Sequence, residues 1–215
     1  GRPTPAWARA ASWDEPVDYH MPEVSRQLYG GDLDGIVEHL DHIVDLGFNT
    51  LYLTPFFPAP SNHRYDATSF THVDPLLGGD EALIRLTAAA HERGLRVVGD
   101  LTTNHSGNTH EWFVAASAAP DAPERSFYYF NDDGSYLGWY EVKTLPKFRF
   151  GPELLARLAS GPQSVAARWL AEPFHLDGWR IDVANMTGRH DGDDENLRVA
   201  AGLRATLDAV RPDGV

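Results

Sequence analysis

A regular alternation of helical segments and short apolar runs is the feature that most constrains the fold. Apolar side chains recur at helical spacing in four segments: residues 33–46, 80–93, 152–172 and 195–210. Three strand-like runs lie between these helices: residues 49–54, 96–101 and 178–183. This order predicts parallel strands joined by helices through right-handed crossovers. The run at 49–54 is apolar enough to predict a strand that is buried on both faces.

The predicted helices have identifiable ends. Asp32 occupies an N-cap position before the first helix, and Gly47 follows the end of that helix. Asp193 or Asp194 is predicted to cap the last helix. Residues 1–31 contain Pro, Trp and Asp without periodicity, so we predict a surface loop there without a strand.

The predicted fold class is α/β, and the predicted architecture is part of a (β/α)8 barrel. Three parallel strands are too few to cover four helices, and a full barrel typically needs about 250 residues, whereas the chain has 215. We therefore predict barrel strands two to four with their helices. A doubly wound sheet is the alternative, but no Gly-rich phosphate turn joins a strand to its helix. The predicted division is residues 1–105 and 151–215 as the two parts of the barrel segment, with 106–150 as an inserted small domain.

The composition excludes several kinds of partner and site. A net charge of −13 disfavours nucleic acid and anionic membrane surfaces as partners, but it does not penalise a neutral substrate. The absence of Cys excludes disulfides and thiolate metal sites. No signal peptide is visible, which favours the cytoplasm, but the chain opens at Gly1 without Met and the compartment stays open.

Each predicted strand is followed by, or ends in, a polar cluster. These clusters are His63-Arg64-Tyr65-Asp66, Asp100 with Asn104-His105, and Arg180 with Asp182. Active sites of (β/α)8 barrels are built at this carboxyl end of the strands. Because side chains alternate along a strand, Arg180 and Asp182 are expected on one face, where the cation would hold the carboxylate ionised. A structural ion pair that fills the barrel is an equally good explanation of these two residues alone.

Several segments resemble signature regions of the α-amylase family, family 13 of the glycoside hydrolases. The two longest are residues 100–105 (Asp-Leu-Thr-Thr-Asn-His) and 178–185 (Gly-Trp-Arg-Ile-Asp-Val-Ala-Asn). Residues 61–66 and 74–79 are similar to the family's stretches after the second barrel strand and before the next helix. The variant at 182–185, together with Leu145-Pro146-Lys147, is most similar to the neopullulanase, cyclomaltodextrinase and maltogenic amylase group.

The resemblance implies a retaining α-glycoside hydrolase that acts on α-glucans or malto-oligosaccharides. Asp182 would attack the anomeric carbon as the catalytic nucleophile, and Arg180 would keep it charged and in position. His105 would hydrogen-bond a hydroxyl of the sugar, and Tyr65 would stack on its apolar face. Linkages of the α-1,4 type are expected, with α-1,6 and cyclic substrates as further possibilities.

The resemblance also implies supporting roles around the substrate. Asp100 would be a carboxylate near Arg180, Asp66 would support Tyr65 and its loop, and Asn104 would be a loop brace or, as in calcium-binding members, a metal ligand. Trp139 is a candidate to line the sugar cleft, although most aromatic residues of the insertion are expected to form its small core. No cofactor is required; calcium is conceivable, but the sequence contains no clear set of ligands for it.

Three features argue against transferring the family's properties in full. The retaining mechanism needs a second carboxyl group as general acid, which the family supplies as a Glu after the fifth barrel strand, beyond Val215. We therefore expect this stretch alone to be inactive and to pair with the remainder of the barrel or to self-associate. Met186 and Phe148-Arg149 depart from the neopullulanase pattern and cast doubt on a preference for cyclodextrins or pullulan. The alternatives are a glycosyltransferase of the same family and a non-catalytic, amylase-like binding domain.

Overall fold

Three parallel strands form the centre of the structure, which is a computed structural model that describes residues 3–215. In chain order the strands are β1 (Arg9–Ala10), β2 (Gln27–Leu28), β3 (Thr50–Tyr52), β4 (Arg96–Thr102), β5 (Gly178–Asp182), β6 (Arg189–His190) and β7 (Asp193–Asp194). The α-helices are α1 (Glu23–Arg26), α2 (Leu33–Glu38), α3 (Leu40–Asp45), α4 (Gly79–Glu92), α5 (Glu111–Ala118), α6 (Pro152–Leu158), α7 (Val165–Leu170) and α8 (Asn196–Val210). Three 3₁₀ helices cover Pro75–Leu77, Pro123–Phe127 and Trp139–Glu141. The central sheet has the order β3, β4, β5, with helices between its strands as predicted.

The hydrophobic core lies between this sheet and the helices. Leu51 of β3, and Val97 and Leu101 of β4, are buried on the face that packs against the helical layer. Gly99 lies in the same strand, where an added Cβ atom would come within 2.7 Å of the Trp179 ring and 3.0 Å of Phe56. A side chain at position 99 would therefore push β4 away from these aromatic rings.

The opposite face of the sheet carries polar side chains. Because side chains alternate along a strand, Asp100 faces away from Leu101, and the β4–β5 register pairs Asp100 with Arg180 and Thr102 with Asp182. Tyr52 on β3 pairs with Val98, which is one strand period below Asp100. The register thus brings polar groups from all three strands to one place.

The burial of strand β3 differs from the prediction. The strand was expected to be buried on both faces, but Thr50 is exposed and the exposed fraction of Tyr52 is 48%. This strand lies at the edge of the described sheet, and within residues 3–215 no strand pairs with its outer side. The outer side of β5 is partly covered, because the Trp179 amide donates to the Val215 carbonyl at 3.0 Å.

Two predicted helices are each interrupted. The helix predicted at 33–46 divides at His39 into α2 and α3, although Asp32 accepts a hydrogen bond from Gly35 N at 2.9 Å, as expected of an N-cap. The helix predicted at 152–172 divides into α6 and α7 around Gly161, whose φ of +92° is left-handed. Ser164 then caps α7 by accepting from Ala167 N at 3.2 Å.

Further corrections concern the first segment and the last helix. Gly1 and Arg2 of the predicted loop lie outside the described residues, but the rest of it contains β1 and β2, a short parallel pair. The last helix begins at Asn196 with Glu195 at the N-cap and no side-chain cap, because Asp193 and Asp194 form β7, which pairs with β6. Asp194 does accept from Asn196 N, at 3.3 Å.

Aromatic side chains of the segment 106–150 pack against one another within the hydrophobic core. The Phe113 ring lies 4.9 Å from that of Tyr128, 5.9 Å from Phe130 and 4.6 Å from Tyr136. The prediction that most aromatic residues of this segment pack together is therefore confirmed. None of the helices in residues 3–215 combines the length and the apolar character that a bilayer span needs.

Candidate active site

The candidate site is built around Arg180, which contacts two carboxylates. Its Nη1 atom donates to Asp182 Oδ1 at 2.6 Å and to Asp100 Oδ2 and Oδ1 at 3.0 and 3.2 Å. Asp182 is 8% exposed and Asp100 is fully buried, whereas 44% of the Arg180 side chain is exposed. The guanidinium therefore neutralises two buried anions from the open side of the sheet.

Asp100 is held by two tyrosines as well as by Arg180. The Tyr65 hydroxyl donates to Asp100 Oδ2 at 2.9 Å, and the Tyr52 hydroxyl donates to the same oxygen. Arg180 Nη1 also lies 3.5 Å from the Tyr65 hydroxyl. Tyr65 reaches this position from the loop after β3, and its ring is stacked on that of His63 with the centroids 6.0 Å apart.

Two opposing influences act on the pKa of Asp182. Burial raises the pKa of Asp182 above its ordinary value, although the hydrogen bond and the charge of Arg180 act in the opposite direction. Arg180 thus favours the charged form of Asp182, as expected, and the cost of removing the carboxylate from water acts against it. Burial would lower the pKa of Arg180, but its hydrogen bonds to Asp100 and Asp182 raise it, so it stays charged.

His105 is buried beside this network and keeps one nitrogen without a partner. Burial lowers the pKa of His105 to about 4, and the charge of Lys147 acts in the same direction. The imidazole is therefore neutral at neutral pH. Its Nε2 atom is buried and makes no hydrogen bond to any described residue. The Trp139 ring stacks on it, with the centroids 5.4 Å apart and the planes at 21°, and Trp139 Nε1 is likewise unpartnered.

Lys147 determines which nitrogen of His105 carries the proton. The buried Lys147 ammonium has only donors, and it donates to Asn104 Oδ1 and, at 3.0 Å, to the Met186 carbonyl. The Asn104 amide nitrogen must then face His105 Nδ1, which lies 3.2 Å away. Since Nδ1 accepts, the proton of the neutral ring lies on Nε2, the atom without a partner.

Asn104 therefore braces the loop, one of the two roles expected of it. Its side-chain oxygen is already occupied by a cation, the ammonium of Lys147, whose pKa burial lowers to about 8. No group of three or more His, Cys, Asp or Glu side chains arranged to hold a metal ion occurs among residues 3–215. These residues fit calcium poorly, because the Asn104 side-chain oxygen and the Met186 carbonyl oxygen both already accept from the Lys147 ammonium.

Asp66 lies in the same loop as Tyr65 but is turned inward. It is 6% exposed and accepts a hydrogen bond from the Ser61 hydroxyl. A cavity of about 680 Å³ is lined by residues from 28–36, by Tyr52 and by Arg64, and its lining does not include Asp100, Arg180 or Asp182. The polar cluster lies at the carboxyl ends of the strands, where Arg180 and Tyr52 are partly exposed, so we take the cluster and not the cavity as the site.

Sequence reasoning found most of the cluster and missed two members. The sequence pattern indicates only an apolar strand at Tyr52, and it relates Lys147 only to the neopullulanase, cyclomaltodextrinase and maltogenic amylase group. Tyr52 could have been found from the alternation of side chains, because it lies on the strand next to Asp100 and on the same face. Lys147 lies 43 residues from Asn104 in the sequence, so no local spacing connects them.

Residues 9–150 match the family described as "Alpha amylase, catalytic domain". The chain belongs to this family. The matched segment of the alpha-amylase domain includes Tyr52, Tyr65, Asp100, His105 and Lys147, and it ends before β5, which carries Arg180 and Asp182.

Named relatives agree with this assignment. The chain is 35% identical over 174 residues to a cyclomaltodextrinase of Geobacillus thermopakistaniensis (strain MAS1), covering 74% of this chain and 28% of the relative. It is 35% identical over 177 residues to an intracellular maltogenic amylase of Bacillus subtilis (strain 168), covering 76% and 28%. The structure of the type III pullulan hydrolase from Thermococcus kodakarensis superposes with a TM-score of 0.81 at 27% identity, covering 96% of this chain and 35% of that one. The chain thus spans roughly a third of these proteins.

Two predictions are confirmed by these similarities. The alpha-amylase chain resembles the neopullulanase, cyclomaltodextrinase and maltogenic amylase group, as Asp182-Val183-Ala184-Asn185 indicated. Its fold is part of the (β/α)8 barrel of that family, with β3, β4 and β5 as neighbouring barrel strands. The division into 1–105, 106–150 and 151–215 stays a prediction.

Proposed function

We propose that the protein carrying this chain is a retaining α-glucan hydrolase with Asp182 as its nucleophile. The observation that supports this most is the position of Asp182: it is the last residue of β5, is nearly buried, and accepts from Arg180 Nη1 at 2.6 Å. Family membership makes a sugar-cleaving site at this rim the expected use of such a carboxylate.

In the proposed mechanism, Asp182 attacks the anomeric carbon and the glycosidic oxygen leaves. The resulting covalent glycosyl ester is then hydrolysed by water, so that two inversions give net retention. Arg180 keeps the attacking oxygen aligned, and the Nε2 hydrogen of His105 donates to a sugar hydroxyl. Tyr65 supports the sugar face, and Trp139 extends the aromatic lining through its stack on His105.

The proton for the leaving oxygen must come from a second carboxyl group. A retaining enzyme holds it about 5 to 5.5 Å from the nucleophile. Asp100 shares the contact with Arg180, but it is fully buried and its oxygens already accept from Arg180, Tyr52 and Tyr65. Asp100 is therefore unsuited to donate a proton to substrate, and we assign the acid to a Glu outside these 215 residues.

The proposed substrates are α-glucans or malto-oligosaccharides with α-1,4 linkages, extended to α-1,6 or cyclic forms. This choice rests on the names of the relatives, which include cyclomaltodextrinase, maltogenic amylase and amylopullulanase. Within the chain, Asp66 and Asn104 support the loops that bear Tyr65 and His105. We propose residues 106–150 as an inserted domain that contributes Trp139 and Lys147 to the site.

The test uses the full-length protein and maltotriose. We expect release of glucose and maltose, and proton NMR recorded in the first minutes should show the new reducing end as the α-anomer. An initial β-anomer would contradict the role of Asp182 as nucleophile, and the absence of turnover on maltotriose, cyclodextrin and pullulan would contradict the substrate class. Products longer than maltotriose would identify the transferase alternative.

A further inference from the structure

Tyr52 is a member of the polar cluster to which no role is yet assigned. It lies on β3, the strand farthest from Asp182, and its hydroxyl donates to Asp100 Oδ2. Nearly half of the residue is exposed, at 48%. Its ring therefore contributes less to the core than a buried tyrosine would, and the hydrogen bond is the contact that distinguishes it from phenylalanine.

The contacts of Arg180 Nη1 explain why this hydrogen bond matters. A terminal guanidinium nitrogen carries two hydrogens, but four oxygen atoms lie within 3.5 Å of this one: two of Asp100, one of Asp182 and the Tyr65 hydroxyl. The four oxygen atoms thus outnumber the two hydrogens of Nη1. Each hydrogen bond that Asp100 accepts from another donor reduces its competition with Asp182 for these two hydrogens.

Asp100 has a strong demand for donors because it is a fully buried carboxylate. Its Oδ2 atom accepts from Tyr52, from Tyr65 and from Arg180. Burial and the neighbouring Asp100 raise the pKa of Tyr52, so the hydroxyl stays protonated and remains a donor throughout the pH range in which glycosidases work.

We propose that Tyr52 is a positioning residue for the nucleophile: by donating to Asp100, it leaves Arg180 free to hold Asp182 in its attacking position. The proposal rests on the proposed function of Asp182. Tyr52 acts through two intervening side chains and does not contact the substrate's reacting atoms. Its hydroxyl therefore affects the reactivity of Asp182 more than the binding of sugar.

The experiment compares Tyr52→Phe with Tyr29→Phe in the full-length protein. Tyr29 is a matched control, because its hydroxyl also makes one hydrogen bond, to the Glu15 carbonyl at 2.8 Å, in the segment before α2. For Tyr52→Phe we expect kcat on maltotriose to fall about tenfold with KM changed less than about twofold. The reason is that the lost hydrogen bond, to the Asp100 carboxylate, affects the position of Asp182 and not the contacts with the sugar. Tyr29→Phe should stay within about twofold of the unchanged protein in both constants.

The pH profile separates positioning from a general loss of structure. When Arg180 is drawn toward Asp100, Asp182 loses the contact that favours its charged form, so the acidic limb of kcat/KM should move to higher pH by about half a unit. A Tyr52→Phe protein whose kcat and acidic limb equal those of Tyr29→Phe overturns the proposal.

A second measurement does not depend on turnover. Urea unfolding of Tyr52→Phe, Asp182→Asn and the double variant forms a cycle, and the effects should be non-additive by about threefold or more in the unfolding equilibrium constant, because the two residues share the Asp100–Arg180 pair. Additive effects overturn the role of Tyr52. If the unchanged protein shows no glucan hydrolysis while the cycle is non-additive, the proposed function fails and the coupling of Tyr52 to Asp182 stands.

Discussion

Arg180 is the residue on which the site depends, because a single nitrogen of its side chain contacts both Asp100 and Asp182. The motif in the sequence predicted the pairing of Arg180 with Asp182. The sequence could not predict how the pair is balanced, because that depends on burial, which is a property of the folded chain. Burial is the larger influence on Asp182 and raises its pKa, against the effect of Arg180.

The raised pKa of Asp182 leads to a prediction about the pH dependence of activity. Only the carboxylate form can attack, so kcat/KM should fall as the pH drops through the pKa of Asp182. Because that pKa is raised, the acidic limb should lie above the value of about 3.9 that is typical of an exposed Asp. A pH–rate profile of the full-length protein on maltotriose measures it, and a rate that stays constant down to about pH 4 would speak against the effect of burial.

Lys147 leads to a second prediction at this scale. Its ammonium bonds the Asn104 side chain and the Met186 carbonyl. Lys147→Met leaves both acceptors without this donor, and we expect a loss of about 1 to 3 kcal/mol in the free energy of unfolding, measured by urea denaturation of the full-length protein. A variant as stable as the unchanged protein would contradict the brace.

A chelator distinguishes this brace from a metal site. Because the ammonium already occupies the Asn104 oxygen, EDTA should leave the Tm of the unchanged protein where it was. A drop in Tm that added calcium restores would mean that a metal ion supports this loop.

At the scale of elements, the alternation of helices and strands was predictable and the interruptions were not. Hydrophobic spacing identified α4, β4 and β5 nearly to the residue. It also predicted a continuous helix at 152–172, because Leu and Ala keep the helical spacing on both sides of Gly161. The left-handed φ of Gly161 and the cap by Ser164 restart the helix, and these are local signals that periodicity overlooks.

Asp177 connects several of these elements at the end of the sheet opposite the site. It accepts from Val97 N and His91 Nε2, each at 2.7 Å, and from Arg211, and so joins β4, α4 and the end of α8 to the start of β5. Burial alone would raise the pKa of Asp177, but the hydrogen bonds from Val97, His91 and Arg211 lower it. Asp177 therefore favours folding as a carboxylate.

Replacing Asp177 by Asn should destabilise the fold by about 2 to 3 kcal/mol, because a partly buried charge network loses its shared acceptor. The control is Asp208→Asn, which breaks an exposed pair with Arg204 within α8 and should change the free energy of unfolding by less than about 0.5 kcal/mol. Since the folded pKa of Asp177 is the lower one, its contribution is present above about pH 4 and is lost as the pH falls through that folded pKa. Equal effects of the two variants in urea unfolding would contradict the assigned role.

At the scale of the whole molecule, the sheet has an exposed edge. No described strand pairs with the outer side of β3, and Phe48 and Tyr52 beside it are 60% and 48% exposed. Unpaired backbone groups next to apolar side chains favour association with further polypeptide. We therefore predict that the isolated 215-residue chain self-associates, with a sedimentation coefficient that rises with concentration. A monomer at all concentrations would contradict this prediction. Turnover of maltotriose by the isolated chain would contradict the separate expectation that the general acid lies outside these residues.

The central claim is that Asp182 forms the covalent intermediate, and trapping this intermediate tests it most directly. The full-length protein is incubated with a fluorinated α-glucosyl fluoride, whose fluorine slows the second step, and its peptides are analysed by mass spectrometry. We predict one added glycosyl group on the peptide that contains residues 178–185, with fragmentation assigning it to Asp182, and no label in Asp182→Asn. A label on another carboxylate, or equal labelling of Asp182→Asn, would contradict the claim.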